Sequence, residues 1–284
     1  MVSSFIFSWM LQILACIFIC PFLPSCKERL LLLGWIFRSV SSLVIRLNPY
    51  WHLRVLGPRP TRPPSKTLIM CNHLSNADAF FLSSALLPWE TKYIAKASLF
   101  QVPFGGWAMG LAGDLPVHFT RDCHGWGVVK GTVGKLMEQC KVYISDGMPL
   151  TVFPEGGRSE NGHLRPFKDG FFQLALETQA EILPCALSGS EEAWPIYELL
   201  QGPATVYVRI GTAVPSAGHS LESLKGAVRA HIQALQRDLP MPRTLPPGER
   251  IGGTGRWEGD REGREGEAVV NKLGSGHRAQ ALPQ

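Results

Sequence analysis

The 284-residue sequence lacks the signatures of several common chemistries. It has neither H-E-x-x-H nor a spaced cysteine–histidine set, so no metal site is expected. Its seven cysteines are odd in number and show no C-x-x-C spacing, which excludes a disulfide framework and makes reduced thiols the default. Neither Gly156-Gly157 nor the later GTGRWEG satisfies a P-loop or a dinucleotide fingerprint. LSGSEE and GRSEN fall short of a nucleophile elbow. Charge of one sign is also scarce: 28 basic against 23 acidic residues leave a scattered net +5. That excess argues against nucleic acid and suits an anionic membrane surface or a phosphorylated substrate. No internal repeat stands out.

Charge is wholly absent from Val2 to Cys20. A helix of about 20 apolar residues matches a hydrocarbon core of about 30 Å, so the leader reads as a membrane helix. A cleaved signal peptide would need a basic start, a shorter apolar run and a small-residue cleavage site; Pro21 and Pro24 stand there instead. Cys16, Cys20 and Cys26 in or beside the leader could be acylated or simply packed. After Lys27-Glu28-Arg29 comes LLLGWIFRSVSSLVIRL, in which Gly34, Arg38, Ser42 and Arg46 recur every four residues as one helical stripe. The stripe fits an interfacial or membrane-embedded helix, and equally a buried core helix; position after the leader favours the membrane. The flanking bases place the downstream chain on the cytosolic side.

Downstream, short β-rich runs (Thr67 to Cys71, Lys92 to Ala95, Leu115 to Phe119, Leu150 to Phe153, Ile182 to Leu187, Thr205 to Ile210) alternate with stretches of helical spacing. Those stretches are Ala77 to Leu87, Trp126 to Cys140, Phe171 to Thr178 and Leu221 to Leu239. Such alternation predicts an α/β fold with a mostly parallel central sheet flanked by helices, whose ligands gather at loops after the strands. The organisation is therefore a membrane-anchoring helical region over 1–50, an α/β domain over 51–245 and a disordered glycine- and charge-rich tail over 246–284.

Two stretches carry candidate chemistry. CNHLSNADAFF puts His73 and Asp78 five positions apart. On one helix they would diverge by about 140°, so they meet only if the chain turns between strand and helix. Ser75 with Asp78 also reads as a capping box, and the two roles are compatible. LTVFPEGGRSENG follows a strand and offers Glu155, Gly156, Gly157, Arg158 and Ser159. Adjacent glycines admit an anion to the backbone and arginine matches phosphate oxygens, although a plain glycine turn fits the same letters.

Together these stretches resemble the glycerophospholipid acyltransferase superfamily, most closely its lysophosphatidate (1-acylglycerol-3-phosphate) acyltransferase branch. NHLSNAD is similar to its N-H-x-x-x-x-D signature, KASLFQVPFGGWAMGLAGDLPVHFTR to its second block, FPEGGRS to F-P-E-G-T-R-S and ILPCALSGS to the fourth; PFKDGFF resembles its F-K-x-G-x-F segment. The likeness covers roughly Lys66 to Gly211, and Gly157 departs from it where threonine is usual.

The resemblance implies transfer of a fatty acyl group from acyl-CoA, as co-substrate and with no cofactor, to the free hydroxyl of lysophosphatidate. His73 would be the base and Asp78 its orienter. Arg158, helped by Lys96 and Arg121, would clamp the acceptor phosphate, with Glu155 organising the loop and Lys168 a further binding candidate. A remodelling acyltransferase for another lysolipid and a non-catalytic lipid-binding member are the alternatives. The expected setting is an endoplasmic-reticulum or other organelle membrane, the domain facing the cytosol; lysophospholipid, acyl-CoA and the bilayer are the expected partners.

Overall fold

The computed structural model describes residues 2–57, 59–62, 64–122, 125–128, 131–159, 161–196 and 200–240, with the backbone path alone for 119–122 and 125–128. The segment read as a disordered tail lies outside these residues.

Seven strands form one sheet: β1 (Trp51–Leu56), β2 (Thr67–Cys71), β3 (Lys92–Lys96), β4 (Leu115–Val117), β7 (Leu150–Val152), β8 (Glu181–Ser188) and β9 (Ala204–Ile210). A separate antiparallel pair is made by β5 (Phe119–Asp122) and β6 (Gly125–Val128). The large sheet runs β1-β9-β8-β2-β7-β3-β4, and every neighbouring pair is parallel except β8 with β9.

Helices cover both faces, and the sequence of β2, TLIMC, shows why. All five of its residues are buried, as expected of a strand in a doubly covered parallel sheet. Leu68 and Met70 point into a core shared with Leu136 and Ile144 of α5 (Thr132–Ser145), Phe172 of α6 (Gly170–Thr178) and Val228 of α8 (Leu221–Arg237). Ile69 and Cys71 point the other way, against Phe81 and Leu82 of α3 (Asp78–Leu86). The period-2 alternation thus feeds two cores from one strand.

Four elements differ from the sequence reading. The helix expected from Trp126 starts only at Thr132, because GWGV pairs with FTRD as the β5–β6 hairpin. That pairing also divides the run Leu115 to Phe119 between β4 and β5. Strand β1 and the short helix α4 (Gly105–Leu111) were not expected; WHLRVL interleaves His52 and Arg54 with apolar residues, and FGGWAMGL is too glycine-rich for a helical propensity signal.

The N-terminal segment forms two packed helices, α1 (Val2–Phe18) and α2 (Cys26–Leu47). Ser25 caps α2 by accepting the Glu28 N–H at 3.1 Å. Of the two, α2 has the length and composition to cross a membrane, yet 44% of its apolar window is buried inside the fold. Its polar stripe is what docks it. Gly34 lies against the Glu90 carboxylate and Lys92 Nζ, which a Cβ at that position would strike. Arg38 pairs with buried Asp114, and Ser42 shares a hydrogen bond with Ser84 of α3. The stripe therefore faces the domain, the buried-core alternative, because its polar groups find partners there that lipid could not supply; Arg46 alone of the four is exposed.

Helix α1 is inverted relative to a water-soluble helix. Its buried side chains are Ser8, Gln12 and Ala15, while Phe7, Met10, Leu14, Ile17 and Phe18 are exposed. Gln12 Nε2 donates to the carbonyls of Leu33 (2.9 Å) and Ala108 (3.0 Å), tying α1 to α2 and α4. An outer face of large apolar side chains over a polar inner face is the pattern of a surface that meets lipid.

Candidate active site

Three adjacent strands, β8, β2 and β7, end side by side and deliver the site from the loops at their C-terminal ends. β2 is followed by His73, β7 by Glu155 and β8 by Ser190, the first residue of the short helix α7 (Ser190–Ala193). Buried Asn72 fixes the point of departure. Its side chain donates to the Leu187 carbonyl at 3.0 Å and accepts the Leu187 N–H at 2.7 Å, so it continues the ladder to β8 while the chain turns away.

The turn brings the expected pair together. His73 Nδ1 lies 2.7 Å from Asp78 Oδ2. The same oxygen accepts the backbone N–H groups of Leu74 (2.6 Å) and Ser75 (2.9 Å), and Oδ1 accepts the Ser190 hydroxyl at 2.5 Å. Asp78 is fully buried, and both of its oxygens accept from donors. The hydrogen of the His73–Asp78 bond therefore sits on Nδ1, which leaves the lone pair on Nε2. The ring stacks on Phe153, centroids 4.1 Å apart and planes within 13°, and its side chain stays 21% exposed.

Only half of a capping box forms here. Asp78 reaches back to the Ser75 N–H, but the Ser75 hydroxyl accepts from Ala77 N (3.1 Å) and donates to the Trp194 carbonyl (2.7 Å). Ala77, in helical conformation, occupies the N-cap position without a side-chain bond. The carboxylate is thus shared between helix start and imidazole.

The FPEGGRS loop grips His73 by its backbone. Glu155 Oε1 accepts the His73 N–H (2.9 Å), and the Ser159 N–H donates to the His73 carbonyl (2.7 Å). Glu155 Oε2 accepts the Arg165 N–H at 2.7 Å, so one carboxylate of 2% exposure joins three segments. Burial pushes the Glu155 carboxyl above the ordinary glutamate range; the two N–H bonds act the other way without cancelling it. Gly156 has φ +69°, the left-handed turn that its lack of Cβ permits, and its N–H is committed to Phe153 O at 3.0 Å.

The remaining expected residues divide. Arg158 follows the loop and is partly exposed, whereas the Ser159 hydroxyl turns inward to the His163 carbonyl at 2.7 Å. Lys96 is exposed at the end of β3, on the same sheet edge as His73. Lys168 is exposed too; its backbone N–H bonds Pro154 O at 2.8 Å and its stem lies against Gly156. Arg121 falls in β5, where side chains lie outside the described residues. Among the described residues no three potential metal ligands converge.

Several contributors escaped the sequence reading. Ser190, Phe153 and Arg165 touch the dyad or its loop, yet each stands in a block quoted for other letters or just beyond one. Cys71, two residues before His73, is no nucleophile: its thiol is fully buried and burial pushes its pKa well up. It lies in register with Cys185 of β8, whose thiol is pushed up to about 12.

The family described as Acyltransferase matches residues 52–188. A 1-acyl-sn-glycerol-3-phosphate acyltransferase of Chlamydomonas reinhardtii is 29% identical over 194 residues, which is 68% of this chain and 54% of that protein. The Homo sapiens 1-acyl-sn-glycerol-3-phosphate acyltransferase beta is 28% identical, covering 67% of this chain and 64% of its own. For the Pseudomonas aeruginosa 1-acyl-sn-glycerol-3-phosphate acyltransferase the figures are 27%, 71% and 74%. The chain thus spans little more than half the Chlamydomonas relative. The crystal structure of the 1-acyl-sn-glycerophosphate acyltransferase from Thermotoga maritima shares the fold, with TM-score 0.61 at 17% identity over 83% of this chain and 90% of that one.

Proposed function

We propose that this chain, whose residues 52–188 are an acyltransferase-family domain, transfers a fatty acyl group from acyl-CoA to the free hydroxyl of lysophosphatidate, giving phosphatidate and CoA. The observation that carries the reading is the 2.7 Å bond between His73 Nδ1 and Asp78 Oδ2. An alcohol is a poor nucleophile at neutral pH, and a base must accept its proton as it attacks.

Nε2 of His73 takes that proton while the hydroxyl oxygen bonds to the thioester carbonyl carbon. Asp78 holds the tautomer and stabilises the imidazolium as it forms. Collapse of the tetrahedral intermediate breaks the carbon–sulfur bond, and the imidazolium returns the proton to the departing sulfur, leaving CoA thiol. Acyl carbon passes directly from sulfur to oxygen, so no covalent acyl-enzyme is formed. Arg158, with Lys96 and Arg121, holds the acceptor phosphate and so sets the hydroxyl over Nε2.

Both substrates carry long chains, whose exposure to water costs about 0.8 kcal/mol per CH₂. The apolar outer face of α1 leaves those chains in the leaflet of an organelle membrane, with the domain on its cytosolic side.

Washed membranes carrying the chain, one labelled acyl-CoA and a panel of lysolipids test this. Transfer to lysophosphatidate above lysophosphatidylcholine is expected, and His73→Ala is expected to abolish it while leaving the protein folded and membrane-bound. Full activity of His73→Ala would overturn the mechanism, and preference for a phosphodiester lysolipid would reassign the acceptor to lysolipid remodelling.

A further inference from the structure

A cavity of about 400 Å³, lined by none of the catalytic-loop residues, opens where the C-terminal end of α2 meets β1. Arg46 of α2, Arg54 of β1 and Arg59 beyond it line the opening, with His52, Trp51 and Ser84. Ser84 is six residues along α3 from Asp78, a rise of about 9 Å. Strand β1 is an edge of the sheet, pairing β9 alone, so this wall of the cavity is unpaired backbone.

Charge makes the cavity unusual. No carboxylate lines it. All three arginines are exposed, and among the described residues none has an ion-pair partner, unlike Arg38 with Asp114 or Arg209 with Asp238. The C-terminal end of α2 contributes about half a negative charge at its carbonyls, too little to balance three guanidinium groups. Like charges lining one opening without a counter-ion repel one another, and a bound anion relieves them.

The surroundings decide the kind of anion. Leu43, Arg46 and Leu47 stand at i, i+3 and i+4 on one exposed face of α2, and exposed Tyr50 follows. An arginine between bare leucines, beside a tyrosine, is the arrangement of a side chain at headgroup level above apolar anchors. A soluble phosphate would gain nothing from Leu43 and Leu47, whereas a lipid could lie along them while its headgroup enters the cavity.

We propose that this cavity binds the phosphate headgroup of an anionic phospholipid of the host leaflet, a site separate from the one where His73 works. It rests on the membrane seat of the N-terminal helices and not on the identity of the acyl acceptor.

The test uses the full chain in neutral maltoside micelles without acyl donor, and measures retention of labelled dioleoylphosphatidylglycerol and dioleoylphosphatidylcholine through gel filtration. Wild type retains the anionic lipid preferentially. Arg54→Gln with Arg59→Gln weakens that retention roughly twenty-fivefold, about fivefold for each guanidinium, and leaves phosphatidylcholine retention unchanged. Arg54→Lys with Arg59→Lys keeps most of it, which guards against loss through misfolding. Equal retention of both lipids by wild type, or undiminished preference in the folded glutamine pair, overturns the site. Displacement of the lipid by equimolar inorganic phosphate or CoA overturns the lipid assignment. Because no transfer is measured, either failure leaves the acyltransferase reading standing.

Discussion

Glu155 holds His73 by the backbone and not by the ring: Oε1 accepts the His73 N–H at 2.9 Å while the imidazole turns the other way to Asp78. The carboxylate therefore acts as a positioning group. Glu155→Gln offers an oxygen to one N–H and an amide to the other, and is expected to lower kcat about 10- to 100-fold by loosening His73.

A pH signature separates the two states of Glu155. Burial raises its folded pKa above the ordinary 4.5, so within that window the folded state holds a proton that the unfolded state has released. Its stabilising contribution is fully present below 4.5 and is lost as pH rises through the folded value. The stability difference between wild type and Glu155→Gln should shrink from pH 4 to pH 7, as read by denaturant melts in micelles; growth over that range would show the N–H bonds outweighing burial.

Ser190 reaches Asp78 from 112 residues further along the chain and donates its hydroxyl to Oδ1 of the carboxylate. Ser190→Ala leaves Oδ1 without that donor, a loss of about 1.5–3 kcal/mol for a hydrogen bond to a charged group. The expected result is a fall of about tenfold or more in kcat with KM little changed. A rise in KM alone would show that Ser190 does not act through the dyad.

Gly157 leaves room that Arg165 fills. A Cβ there would lie 2.6 Å from Arg165 Nη1, which itself donates to the Arg158 carbonyl at 3.3 Å. Gly157→Thr should swing that exposed guanidinium away at a stability cost of about 0.5 kcal/mol or less. Michaelis constants for lysophosphatidate should shift about threefold or more with kcat retained, and Arg165→Ala should reproduce the shift. Unchanged constants in both variants would remove the loop from acceptor binding.

Arg38→Met strands the Asp114 carboxylate in the interior, a loss of about 3–5 kcal/mol for a broken buried pair. Thermal melts in micelles should show it, and adding Asp114→Asn should restore part of the loss. Wild-type melting in the single variant would mean that water reaches the pair.

Parts of this architecture were legible in the residues and parts were not. The apolar runs of β2, β7 and β8 announce buried strands because both faces are covered, and the turn between Asn72 and Asp78 follows from the mismatch of strand and helix periods. Strand β1 was hidden because an edge strand tolerates polar His52 and charged Arg54. The stripe of α2 showed its period but not its direction, since a polar row can face water, headgroups or buried partners, and the partners Asp114, Glu90 and Lys92 lie more than 50 residues away. Ser190 was unreadable for the same reason: only the sheet order brings β8 beside β2.

The inward stripe of α2 has an outcome for how such a protein can exist. Cut after Asn48, the remaining fold would present the Asp114 carboxylate and the Lys92 ammonium at a bare wall, with Leu30 no longer there to receive the latter. The N-terminal helices and the α/β domain are thereby made one folding unit. Cleavage at that joint is expected to unfold the domain and not to release it intact.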